Sequence, residues 1–249
     1  MNLSSAEKVL LYSSKFQLSA EEIELLNNSL TQIDNWEELA ELLVKRGIAP
    51  LLYAKRASLP AYSGTSEDFR LQIESAYSRT LMRGMVLYGV FAEFAGIFAS
   101  QGIQFIPLKG VLLSEWLYTD IALRMFSDID ILVRPHDAAK AIEILGKLGY
   151  KPHSSSVSAF IEQHEEVVHY PPMCRGGFSV EVHVKLHRSH KNHAMDAALL
   201  FANAVPHKLY NQEILLPGID DILIHQCVHA HKHFEGGNMG FRSFTDIAN

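Results

Sequence analysis

Two carboxylates set into an apolar run constrain this chain more than any other feature. Residues 128–133 read Asp-Ile-Asp-Ile-Leu-Val. The short apolar run rich in β-branched residues predicts a strand, so the fold must contain a sheet. Residues two apart on a strand project to the same face. Asp128 and Asp130 therefore stand together, with Cβ atoms roughly 7 Å apart by strand geometry. Like charges on one face repel, and burial adds a desolvation cost. A hard divalent cation removes both problems, and Mg²⁺ prefers carboxylate oxygen.

The totals set outer limits. At 249 residues the chain is long enough for one large domain or two small ones. Its 48% hydrophobic and 20% charged content is that of an ordinary folded protein. A net charge of −6 argues against nonspecific nucleic-acid binding, which calls for a basic surface. Cys174 and Cys227 alone make neither a disulfide framework nor a zinc site, so a reduced, cytoplasmic setting is expected. The N-terminus lacks the basic and apolar segments of a signal peptide. The most apolar stretch, Met85 to Phe98, is short and interrupted by Glu93. It reads as a buried helix, with no run long enough to span a bilayer and no membrane partner expected.

Residues 1–101 read as a helical region. Ser19-Ala-Glu-Glu22 has the form of a capping box, with Ile23, Leu26 and Leu30 following at helical spacing. Asp34 to Glu38 opens another helix that Gly47 ends. A further short helix begins at Ile48, and Pro60 to Thr65 reads as a turn or loop. A long helix is expected from Ser66 to about Gln101, stopped by Gly102.

The pattern then changes to alternating strands and helices over residues 102–217. Strands are expected at Ile103 to Pro107 and Asp128 to Val133, and helices at Gly110 to Tyr118 and Pro135 to Leu148. Val167 to Tyr170 and Phe178 to Leu186 read as further strands linked by Pro171 to Gly177, with another short strand at Glu213 to Leu216. Residues 218–249 form a C-terminal helical segment: a histidine-rich helix at Ile219 to Phe234, a Gly-rich loop, and a helix from Phe241. No capping or breaking pattern marks the end, so either the parent protein continues or the last helix is short. The expected class is α+β with an α/β-type core: a small mixed sheet flanked by N-terminal and C-terminal helices.

A third acidic residue strengthens the aspartate pair. In Phe178 to Leu186, Val180, Val182, Val184 and Leu186 alternate with Ser179, Glu181, His183 and Lys185. If this strand lies beside Asp128–Val133, three carboxylates converge. The set Leu108-Lys109-Gly110, Arg124-x-x-x-Asp128-Ile-Asp130-Ile-Leu-Val, the helix ending Gly149-Tyr150 and the Glu181-Val-His183 strand resembles the nucleotidyltransferase family of the NTP_transf_5 type. That family lies in the DNA polymerase β-like nucleotidyltransferase superfamily. The resemblance covers roughly residues 80–249.

The resemblance implies transfer of an NMP from an NTP, ATP among the candidates, to an acceptor hydroxyl on a small molecule, sugar or protein, with release of pyrophosphate. It gives Asp128 and Asp130 the catalytic metal, Mg²⁺ or Mn²⁺, with Glu181 as third carboxylate. Lys109-Gly110 stands where the superfamily has Gly-Gly or Gly-Ser, the turn that holds the triphosphate at a helix start. Arg124 is placed to reach a phosphate or brace the aspartates. His183 and Lys185 take supporting roles.

Each residue also has a structural alternative. Asp128 and Asp130 could pair with Arg124, Lys109 could be a solvated helix-end lysine, and Glu181 a solvated sheet-face residue. Two other functions remain open: a catalytically inactive nucleotide-binding or interaction module, and a zinc-dependent hydrolase. The latter would use His225 and His229, four apart on one helix face, although no His-Glu-x-x-His motif completes the site. Neither the acceptor, the base of the NTP nor the oligomeric state is readable.

Overall fold

A computed structural model of the chain describes residues 3–153, 168–186, 196–235 and 241–249, the side chains of 232–235 excepted. Val167 and the Gly-rich loop after the histidine helix lie outside them. The described chain is mixed α and β, with a five-stranded mixed sheet among helices. It divides into two compact units: 1–84 with 117–125 and 227–249, and 85–116 with 126–226.

The first unit is helical. It contains α1 (Ser5–Ser14), α2 (Ala20–Leu30), α3 (Trp36–Arg46), α4 (Ala49–Lys55) and α5 (Pro60–Ser63). Ser4 and Ser19 each accept a hydrogen bond from the backbone three residues on, while Glu7 and Glu22 reach back to complete capping boxes. Asn35, within the expected opening Asp34 to Glu38, caps α3, and Gly47 closes it at φ +73°. The apolar residues these spacings line up, among them Leu26, Leu30, Leu39, Leu43 and Leu52, meet in one buried cluster with Phe69 and Ile73. Of the expected turn or loop, Pro60 to Ser63 forms a short helical turn, because proline suits a first helical position.

Lys55 is the unusual member of this unit. Its Nζ donates to the carbonyls of Ser13 and Leu51 at 3.1 and 3.4 Å. Burial pushes its amine down to about 8. Above that pH the unfolded chain binds more protons at this lysine than the folded chain does. Stability from this residue is therefore expected to rise from about pH 8 toward the ordinary lysine range. Denaturant melts of wild type and Lys55→Met across that interval check this. The same slope in both proteins would remove the assignment to Lys55.

The long helix α6 (Glu67–Ser100) begins and ends within two residues of its sequence limits. Gly102 follows it at φ +72°. By length and composition α6 could cross a membrane, although Glu93 interrupts its most apolar stretch. Part of its apolar surface packs in the core, while Leu71, Met82, Met85 and Val86 are exposed. Phe69 and Ile73 are buried in the first unit, and Phe91, Phe94 and Phe98 in the second. The latter three pack around Phe105 with ring centroids 5.7–6.2 Å away.

The second unit holds the sheet. Its strands are β1 (Phe105–Leu108), β2 (Asp128–Val133), β3 (Lys151–Pro152), β4 (Met173–Arg175) and β5 (Phe178–His183), in spatial order β1-β2-β5-β4-β3. β2 and β5 are parallel, and the other pairings are antiparallel. The connection from β2 carries α8 (Ala138–Lys147), which packs on β4 and β5. A separate hairpin joins β6 (Val205–Leu209) to β7 (Gln212–Leu216) after α9 (Ala197–Asn203). α10 (Ile219–Glu235) and α11 (Phe241–Ala248) close the described chain.

Two strand readings are corrected here. Pro171 to Gly177 is not all link: Met173 to Arg175 pairs with β5, and only Gly176-Gly177 turns the chain, at φ +59° and +82°. Of the expected strand at Val167 to Tyr170, the described part holds a single bridge, His169 to His183. The β6–β7 turn uses Tyr210-Asn211, both at positive φ and without glycine, so its usual signature is missing from the sequence.

Candidate functional site

Asp128 and Asp130 lie on β2 as the alternation requires, Asp128 half-buried and Asp130 only 2% exposed. The parallel register sets Asp128 opposite Ser179 and Asp130 opposite Glu181. Residues in register on adjacent strands share a face. Asp128, Asp130, Glu181 and His183 thus line one side of the sheet, while Ile129, Ile131, Val180 and Val182 are buried on the other. That division is why an apolar strand can carry two charges.

β1 completes the group from the opposite edge. Leu108 pairs with Asp130, and Lys109 follows it at the start of α7 (Lys109–Trp116). The Lys109 Nζ donates to Asp130 Oδ1 at 2.9 Å. His183 Nε2 donates to the same oxygen at 2.8 Å and lies 3.6 Å from Glu181 Oε2. The other ring nitrogen of His183, Nδ1, is buried and has no hydrogen-bond partner among the described residues. Lys109 has φ +49°, a left-handed conformation that a lysine rarely adopts.

Gly110 is required by packing rather than by φ. A Cβ there would stand 2.6 Å from Phe126 Cβ and 2.8 Å from its Cγ. Both residues are buried, so neither can move aside freely. Gly110→Ala is expected to destabilise the protein by about 1–3 kcal/mol through overpacking. A thermal melt checks this. An unchanged melting temperature would show that the β1–α7 junction is looser than the packing implies.

Electrostatics distinguish the two aspartates. Burial, then the charges of Asp130 and Glu181, push the Asp128 carboxyl up. Burial would raise Asp130 too. The hydrogen bond from His183 and the charge of Lys109 outweigh it and hold Asp130 well below the usual carboxylate range. Burial would lower His183, but its bonds to Asp130 and Glu181 hold it above the ordinary imidazole value.

Among the described residues, one group of three metal-competent side chains converges: Asp130, Glu181 and His183, with ligand atoms all within 4.8 Å of one another. Two carboxylate oxygens and an imidazole nitrogen suit a divalent cation. The mutual repulsion that raises Asp128 is the kind a cation relieves. The residues therefore fit the metal that the aspartate pair calls for. His183, expected as support, stands within the converging group.

The remaining candidates sit elsewhere. Lys185 lies past the end of β5 and is exposed. Arg124 is buried in the first unit, where it makes a bidentate pair with Asp246 of α11 at 2.9 and 2.7 Å. Asp246 Oδ1 also accepts from the Tyr118 hydroxyl at 2.8 Å. Sequence reasoning missed Asp246, and its only signal was an acidic residue in an otherwise apolar-faced terminal helix. On α10, His225 is buried and His229 half-buried, and neither belongs to the converging group.

The family model NTP_transf_5, described as uncharacterised nucleotidyltransferase, matches residues 33–249. The chain belongs to this family. The match starts well before the residues that carried the resemblance, so α3 to α5 and all of α6 are part of the nucleotidyltransferase sequence pattern. No curated protein and no solved structure matches the chain.

Proposed function

We propose that this nucleotidyltransferase-family protein moves an NMP from an NTP to an acceptor hydroxyl in a reaction that depends on Mg²⁺ or Mn²⁺. The observation that carries the reading is the convergence of Asp130, Glu181 and His183, with Asp128 beside them, on one face of the sheet. These residues would hold the cation. When bound, it would supply charge compensation for the triphosphate and for the oxygens exchanged at phosphorus.

The chain's own groups have separable tasks. The first backbone N–H groups of α7 have no partner within the helix and suit phosphate oxygens. Lys109 adds a positive charge at that point. Glu181 keeps 22% of its side chain exposed against 3% for Asp130, so an incoming hydroxyl can reach it. The acceptor oxygen bonds to the α-phosphorus as the bond from that phosphorus to the bridging oxygen breaks. Pyrophosphate leaves, and the hydroxyl proton passes to the Glu181 carboxylate. We place the reaction in the cytoplasm, in keeping with two unpaired cysteines.

The test is incubation of the protein with each labelled NTP, Mg²⁺ or Mn²⁺ and a cell extract. Transfer of label to a product, lost on adding EDTA, is the expected result. Full transfer in EDTA, or none with any NTP, would remove the reading. The zinc hydrolase has less support, because the ligands that converge among the described residues lie on the sheet.

A further inference from the structure

We infer that Lys109 is a tethered cation that occupies the divalent metal's place on Asp130 Oδ1, so that metal binding through that oxygen requires its ammonium to move off. The inference rests on the metal-dependent reading above, and it adds a competition that the reading does not contain.

The geometry carries it. Asp130 Oδ1 accepts from Lys109 Nζ at 2.9 Å and from His183 Nε2 at 2.8 Å. A carboxylate oxygen offers about two lone pairs in its plane. Both are taken, so Oδ1 cannot also ligate a metal while Lys109 and His183 both stay, and Lys109 is the donor on a flexible stem. Asp130 is nearly fully buried, and the lysine side chain keeps only 19% exposure, so water replaces little of their attraction.

The backbone at Lys109 gives a second, independent observation. Its φ of +49° is a conformation that costs an L-residue roughly 1–2 kcal/mol. Glycine or asparagine would suit the position better. A lysine held there against its backbone preference is one whose side chain makes an interaction worth the strain, and the contact it makes is with Asp130. A flexible four-carbon stem lets the same ammonium swing away without moving β1 or α7. Once displaced it is free to meet an anionic phosphate at the start of α7.

Two cations that exclude each other from one oxygen are coupled, and couplings of this kind are typically about 5–150-fold. Mn²⁺ titrations by electron paramagnetic resonance on wild type, Lys109→Met, Lys109→Arg and Asp130→Asn measure it without any turnover. Lys109→Met is expected to bind Mn²⁺ about tenfold more tightly than wild type, with Lys109→Arg remaining weak. A parallel measurement uses unaltered protein: the acetylation rate of Lys109 by an amine-reactive ester, followed by mass spectrometry. Saturating Mn²⁺ is expected to speed that reaction several-fold, and Asp130→Asn to be fast without metal.

The outcomes separate the two claims. If wild type binds Mn²⁺ through Asp130, yet Lys109→Met binds no tighter and Lys109 reactivity does not change, the competition is wrong and the metal-dependent reading stands. If neither wild type nor Lys109→Met binds Mn²⁺ in an Asp130-dependent way, both are overturned. Metal binding by Lys109→Met alone supports the competition in its strongest form. Because the acetylation measurement needs no Lys109 variant, a misfolded Lys109→Met leaves the inference testable.

Discussion

Asp130→Asn is expected to lower metal-dependent nucleotidyl transfer by a factor on the order of 10³ or more, about 4 kcal/mol of transition-state stabilisation. The amide keeps the shape of the carboxylate and can still accept from Lys109 and His183. It removes the negative charge on which those two partners, and the proposed metal, depend. Asp130 is the centre of the cluster: it faces Glu181 across the β2–β5 ladder and bonds the lysine that begins α7. Label transfer from NTP, with a circular dichroism melt as the folding control, measures the effect. Activity within twofold of wild type in a folded variant would remove Asp130 from the reaction.

The second large effect concerns stability. Asp246→Ala should cost about 3–5 kcal/mol, because it leaves a buried guanidinium without its bidentate partner. Arg124 is 7% exposed and the Asp246 side chain 2%, so water cannot take over the lost bonds. Tyr118 loses its acceptor as well. Replacing both charges, as Arg124→Met with Asp246→Leu, should recover most of the loss, since removing a whole buried pair is often near neutral. Calorimetry on the single and double variants reads both numbers. A single variant as stable as wild type would show that the pair holds nothing together. The recovered double variant also tests whether Arg124 touches phosphate. If it folds but has lost activity, the phosphate role stands beside the structural one.

The sequence showed local features and missed those that depend on chain closure. The helix boundaries set by Ser19, Gly47 and Gly102 were readable because capping involves neighbours only three or four residues away. The Gly176-Gly177 turn was also local. Its extent was misread because Pro171 and Pro172 made the preceding residues look like loop, whereas Met173 to Arg175 has a strand to pair with. The β6–β7 hairpin turns on Tyr210-Asn211, where the backbone conformation is imposed by the paired strands rather than announced by glycine.

In the site, the Asp128–Asp130 face followed from the two-residue period alone, and Glu181 was found by the same rule in a second strand. That the two strands are adjacent, parallel and in register was a condition of the argument that only the sheet could meet. Three further pairings had no local trace: Lys109 with Asp130, His183 with the same oxygen, and Arg124 with Asp246, which lies 122 residues further along the chain. With 22 lysines and arginines and 28 acidic residues, charge sign cannot choose partners. By itself, then, the sequence determined which side chains share a face, because that depends on backbone periodicity. The tertiary structure decided which faces meet, because an ion pair forms only where folding brings distant atoms within hydrogen-bond reach and excludes water from between them.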